Sequence, residues 1–153
     1  MTSRLRLDDY LPYRLSVASN EVSRLIARAY EDRFGLTIPQ WRVICVLAED
    51  GPSTPQAIVA RTATDKVVVS RAAQALTTRR LVRRIPSAED RRSHHLELTE
   101  AGLALYQEVA PLALAYEQSV LAGLTGKEVA DLKQLLIRIE TAAAKMAETI
   151  VDR

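Results

Sequence analysis

Residues 64–98, TDKVVVSRAAQALTTRRLVRRIPSAEDRRSHHLEL, contain the change of period that decides the fold. In the first half, Val69, Ala72, Ala73 and Leu76 recur at three- and four-residue steps, which puts them on one side of a helix running to Arg79. Thr64 or Asp65 supplies its N-cap. Residues 81–85 and 94–98 are then short β-type segments. In the second of these, Leu96 and Leu98 share one face while His95 and Glu97 take the other. Residues 86–93 join the two as a polar hairpin tip, too long for a tight turn. A helix running straight into a two-stranded hairpin predicts a wing.

Upstream, Thr37-Ile38-Pro39-Gln40 has the form of a capping box and opens a helix over residues 38–50. Val43, Val46 and Leu47 form its buried side, and Trp41, Ile44 and Cys45 also face apolar surroundings. Gly51-Pro52 breaks that helix, and Thr54-Pro55 starts a short one that reaches Arg61. Residues 62–64 turn the chain into the helix first quoted, and the last two helices so joined predict a helix-turn-helix.

The flanks read as long helices. Residues 8–34 form one amphipathic helix with the stripe Leu11, Leu15, Ala18, Val22, Leu25 and Ala29, ended by Gly35. Thr99 caps a helix over residues 100–121, and a second capping box, Thr125 to Glu128, starts a final helix reaching Thr149. The final stripe is Val129, Leu132, Leu135, Leu136, Ile139, Ala143 and Met146. The fold expected is mainly α with a small β-wing, six helices and one hairpin in a single chain. A winged helix-turn-helix core at residues 38–98 lies between long N- and C-terminal dimerisation helices at 8–34 and 100–150. Pairing them would set two recognition helices roughly 34 Å apart, one turn of DNA.

Composition narrows the function. The chain has 153 residues, 48% apolar and 26% charged, which is the size and balance of one globular domain. The single Cys45 excludes an intramolecular disulfide and any multi-cysteine zinc site. Charge stands where a signal peptide needs an apolar core, and no apolar run reaches the length of a membrane span. A cytoplasmic protein of a bacterial or archaeal cell, with no membrane partner, is expected. Residues 61–95 hold nine Lys and Arg against three acids, a net +6 in a chain of net +2. A basic centre between acidic flanks is the footprint of a polyanion site, or of a solvated basic face.

The outward side of the quoted helix favours the first. Lys66, Val67, Ser70, Arg71 and Gln74 are side chains that can read a major groove. At the hairpin tip, Arg91 and Arg92 suit an adjacent minor groove, and Asp90 suits the orienting of an arginine. Residues 90–102, DRRSHHLELTEAG, resemble the wing signature of the MarR family: Asp, any residue, Arg, five residues, Leu-Thr, two residues, Gly. IPQWRVICVLAE and TDKVVVSRAAQALTTRRLVRR are similar to that family's second and recognition helices. The resemblance implies a homodimeric winged helix-turn-helix regulator, usually a repressor, on a pseudo-palindromic double-stranded DNA operator. It also implies that Asp90 is the wing acid and Arg92 the minor-groove arginine. Arg80 stands where the family commonly has Gly; a left-handed backbone there would cost an Arg on the order of 1 kcal/mol, unless the helix ends differently.

MarR relatives commonly bind phenolic or aromatic carboxylate effectors, some as coenzyme A thioesters, at the junction of reader and dimer helices. The resemblance places such a site among Tyr13, Arg14, Ser16, Asn20, Trp41, Ile44, Cys45 and Tyr106, which otherwise read as core and solvated surface. Cys45 sits in an apolar run and reads as core, with a redox-responsive regulator as the rival. His94 and His95 point to opposite faces of a strand, so no shared metal ion is expected. No phosphate-cradling glycine loop, metalloprotease motif or nucleophile elbow occurs, so neither a cofactor nor catalysis is expected. A winged helix that binds protein instead of DNA is the remaining alternative.

Overall fold

A computed structural model describes residues 3–87, 89 and 94–151. The elements are a 3-10 turn at Leu7–Asp9 and helices α1 (Leu11–Ala27), α2 (Glu31–Phe34), α3 (Ile38–Asp50), α4 (Pro55–Thr62) and α5 (Lys66–Thr78). Strands β1 (Val82–Pro86) and β2 (His94–Leu98) and helices α6 (Glu100–Leu121) and α7 (Gly126–Val151) complete them. The mainly α fold with a two-stranded wing is as expected. None of the described helices is long and apolar enough to cross a membrane.

The N-terminal segment departs from the single helix expected over 8–34. Pro12 has no N–H to donate, so the helix starts immediately ahead of it, at Leu11. At the other end, Arg28, Ala29 and Tyr30 donate to the carbonyls of Leu25, Ile26 and Ala27, a tight turn that breaks the helix. The break is compensated by Tyr30, which is 2% exposed and stacks on Trp41 with centroids 5.5 Å apart. Gly35 then terminates α2 at φ 62, a left-handed conformation that glycine adopts without steric cost.

Other boundaries follow the capping chemistry. The Thr37 hydroxyl accepts from Gln40 N–H, and the Gln40 side chain accepts from Thr37 N–H, so the box is closed. Thr54 caps α4, and Asp65 rather than Thr64 caps α5, accepting from Val67 N–H at 2.8 Å. The Thr125–Glu128 box is reciprocal as well.

Arg80 resolves the alternative left open at the wing. It is left-handed, φ 59. Its N–H donates to the Thr77 carbonyl and that of Leu81 to the Leu76 carbonyl, while Leu76 and Leu81 are both buried. That is a complete Schellman motif with arginine where glycine is usual. The cap takes Leu81, so β1 starts at Val82, one residue later than expected.

The strands pair antiparallel with Val82 opposite Leu98 and Pro86 opposite His94. Ser53 adds an unforeseen isolated bridge to β2 from a third segment, exchanging backbone hydrogen bonds with Leu96 at 3.0 and 2.8 Å. Thr99 closes the hairpin onto α6. Its N–H donates to the Leu81 carbonyl, its hydroxyl donates to the Arg80 carbonyl, and the hydroxyl oxygen accepts from Gly102 N–H. A Cβ on Gly102 would collide with the Leu81 carbonyl oxygen, so only glycine fits.

Packing separates two compact units, Met1–Tyr116 and Glu117–Arg153. The buried core belongs to the first: Trp41, Val43, Ile44, Val46 and Leu47 of α3, Ile58 of α4, the inner face of α5, Val82, Leu96, Leu105 and Val109. No described residue of the second unit is buried.

Candidate nucleic-acid interface

The turn between α4 and α5 is short because Ala63 adopts a left-handed conformation, φ 48, reversing the chain without a glycine. Inward from α5 point Val69, Ala72, Ala73 and Leu76, all buried, and the two alanines let the backbone lie close to the core. Outward stand Lys66, Val67, Ser70, Arg71 and Gln74, all exposed. Val67, at 54% exposure, is a large apolar side chain on an otherwise polar face, the arrangement expected for contact with a thymine methyl.

The basic segment is less uniform than its sum suggests. Arg61 pairs with Glu49 at 3.2 Å and Asp50 at 3.5 Å, and Arg83 pairs with Glu97, its partner across the hairpin. Arg79 donates to the carbonyls of Phe34 at 2.7 Å and Gly35 at 3.2 Å, bolting the end of α5 to the end of α2. Arg84 donates to the Gln74 side-chain oxygen at 3.2 Å. Neither of these last two roles was read from the sequence, because each partner lies across a turn and no local spacing announces it. Asp90, Arg91 and Arg92 lie outside the described residues.

The eight residues proposed for an effector divide into two groups. Trp41, Ile44, Cys45 and Tyr106 belong to one cluster. Trp41 stacks between Tyr30 and Tyr106, with centroids 5.5 and 5.8 Å away. Ile44 is fully buried and offers no surface to a ligand in this conformation. Tyr13, Arg14, Ser16 and Asn20 are exposed along α1. A groove of about 780 Å³ opens elsewhere, between α3, the hairpin and the start of α6, lined by Leu47, Arg80, Leu98 and Leu103 among others and by none of the eight.

Burial, with Glu49 one turn away, pushes the half-buried Cys45 thiol from 9.0 up to about 12. Burial also raises the Tyr30 phenol to about 12, with a smaller contribution from Glu31. A thiol so protonated is a poor nucleophile at neutral pH.

A family model described as MarR family matches residues 34–93. The chain is 28% identical over 138 residues to the HTH-type transcriptional repressor NicR of Pseudomonas putida KT2440, covering 84% of this chain and 85% of NicR. It is similar to Bordetella bronchiseptica BpsR, whose structure is described as a mechanism for regulation of DNA binding by 6-hydroxynicotinic acid. There the TM-score is 0.77 at 28% identity, over 85% of this chain and 98% of that one. A MarR variant from E. coli complexed with operator DNA aligns with a TM-score of 0.78 at 25% identity, over 90% and 99% of the two chains.

Proposed function

We propose that this chain, which belongs to the MarR family, is a homodimeric, sequence-specific transcriptional repressor released from its operator by a small aromatic acid. The observation that carries the reading is α5: buried along one side, it presents Lys66, Val67, Ser70, Arg71 and Gln74 together on the other. Those side chains enter a major groove, while Arg91 and Arg92, with Asp90 orienting, reach the neighbouring minor groove. NicR, a repressor, and the DNA-bound MarR variant support both the output and the mode of binding.

The operator is pseudo-palindromic because the reader, residues 38–98, is doubled by terminal helices, 8–34 and 100–150, that pair across a two-fold axis. Leu11 of α1, Leu112 and Leu114 of α6, and Leu132, Leu135 and Met146 of α7 are all exposed, and a second copy would cover them. Such a regulator works in the cytoplasm, where the chromosome is.

An aromatic acid is the effector class favoured by BpsR and by the aromatic character of the Trp41 cluster. Trp41, Cys45 and Tyr106 would meet its ring, and Tyr13, Arg14, Ser16 and Asn20 its polar groups. The raised Cys45 thiol weighs against a redox trigger.

Gel-shift titration on the DNA upstream of its own gene tests the reading. Nanomolar binding with a steep loss between 50 and 200 mM salt is expected, roughly a thousandfold or more. Absence of binding at low salt would leave the protein-binding winged helix. Titrating 6-hydroxynicotinic acid and other aromatic acids into the complex tests release; a complex unmoved by all of them would remove the effector assignment alone.

A further inference from the structure

Gln74 is not a free side chain. Its amide oxygen accepts a hydrogen bond of 3.2 Å from Nη2 of Arg84 on β1. The orientation of this amide follows from chemistry, because a guanidinium carries donors only and the group facing it must be the oxygen. The contact also follows from the pleat. Val82 and Arg84 share one face of β1, and Val82 is buried in the same core as Leu76 of α5. Arg84 therefore rises on the face that carries the core, while Arg83 on the opposite face pairs with Glu97.

We propose that Arg84 sets the base preference of Gln74, so that the pair selects a guanine edge where an unpaired glutamine would select adenine. This rests on the DNA-reading function above. A free glutamine reads adenine by donating to N7 and accepting from the N6 amino group. Here the oxygen already accepts from a cation. That bond draws electron density toward the oxygen, strengthens the amide N–H groups as donors, and weakens the oxygen as a second acceptor. The Arg84 guanidinium also brings its remaining N–H groups and a positive charge to the spot. A surface of donors matches O6 and N7 of guanine, both acceptors, and opposes the amino group of adenine.

Selection of binding sites from a random DNA library by the full-length protein, followed by sequencing, tests this. Gln74→Ala identifies the base pair that Gln74 contacts, as the position whose preference disappears. Guanine is expected there over adenine by about fivefold for the natural protein, the worth of one hydrogen bond. Arg84→Met should abolish or invert that preference while other positions keep theirs, and Arg84→Lys, which still donates, should largely preserve it. Arg84→Leu, which likewise has no donor, repeats the measurement if the methionine variant melts early. Adenine preferred by the natural protein at that position, or a preference unmoved by Arg84→Met, overturns the assignment. Enrichment of no sequence at all by the natural protein would instead sink the DNA-reading function on which it rests.

Discussion

Helices α5 and α7 are both amphipathic, yet they meet their apolar stripes in opposite ways. In thirteen residues α5 buries Val69, Ala72, Ala73 and Leu76, with Leu76 fully enclosed. In twenty-six residues α7 buries nothing, and Leu135 and Met146 are 50% and 66% exposed. The difference is one of partners. The stripe of α5 is met within its own unit by α3, α4 and β1. The stripe of α7 has no such cover in the unit Glu117–Arg153. The reading head is thus stabilised by its own core, whereas the exposed stripe of α7 is what the proposed second copy would cover.

Four measurements would break or sharpen that contrast. The largest effect is expected at Gly102, where α6 meets the reading head and a side chain would strike the Leu81 carbonyl. Gly102→Ala should cost about 3 kcal/mol and lower the melting temperature by about 10 °C; an unchanged melting curve would mean that α6 can shift freely against the hairpin. On the other side, Leu135→Glu should weaken dimerisation about a hundredfold, because the two-fold axis repeats the loss of about 1.5 kcal/mol in each protomer. Sedimentation at micromolar concentration reads this out. A mass that stays dimeric would take the α7 stripe out of the interface.

Cys45 reports on the core from within. Its folded pKa, about 12, lies above its ordinary 9.0, so its contribution to stability is complete below pH 9 and is lost as pH rises toward 12. Native Cys45 should be alkylated at pH 8 at least about tenfold more slowly than in urea, and equal rates would revive the redox alternative. The smallest effect belongs to Arg80. Arg80→Gly should stabilise the protein by about 1 kcal/mol in thermal unfolding, because glycine occupies φ 59 without strain. A loss of stability would show that the arginine side chain contributes more than its backbone costs.

Most of the reading head was legible because its signals are local. Capping boxes, the Thr54-Pro55 start and the two strand periods depend on neighbours within four residues, and the structure has α3, α4, α5 and the hairpin within a residue of where those signals put them. The outward side of α5 was legible for the same reason. What escaped depends on distant partners. The start at Leu11 was written in Pro12, but the break after Ala27 is accompanied by the Tyr30–Trp41 stack, a meeting that the period of residues 8–34 does not announce. Ser53 on Leu96, Arg79 on the end of α2 and Arg84 on Gln74 are likewise meetings of residues separated by turns.

By itself, then, the sequence determined the order and kind of most elements, the wing and the face of α5 that carries polar side chains. Periodicity and capping operate over one or two turns of chain, and those are written out in full. Only the tertiary structure decided that Arg80 takes the left-handed position, because the Schellman bonds and the Thr99 hydroxyl on its carbonyl outweigh a local strain of about 1 kcal/mol. Only it decided which of the described arginines are engaged within the chain, since guanidiniums find partners across space, and Arg84 on Gln74 carries that pairing to the reading face.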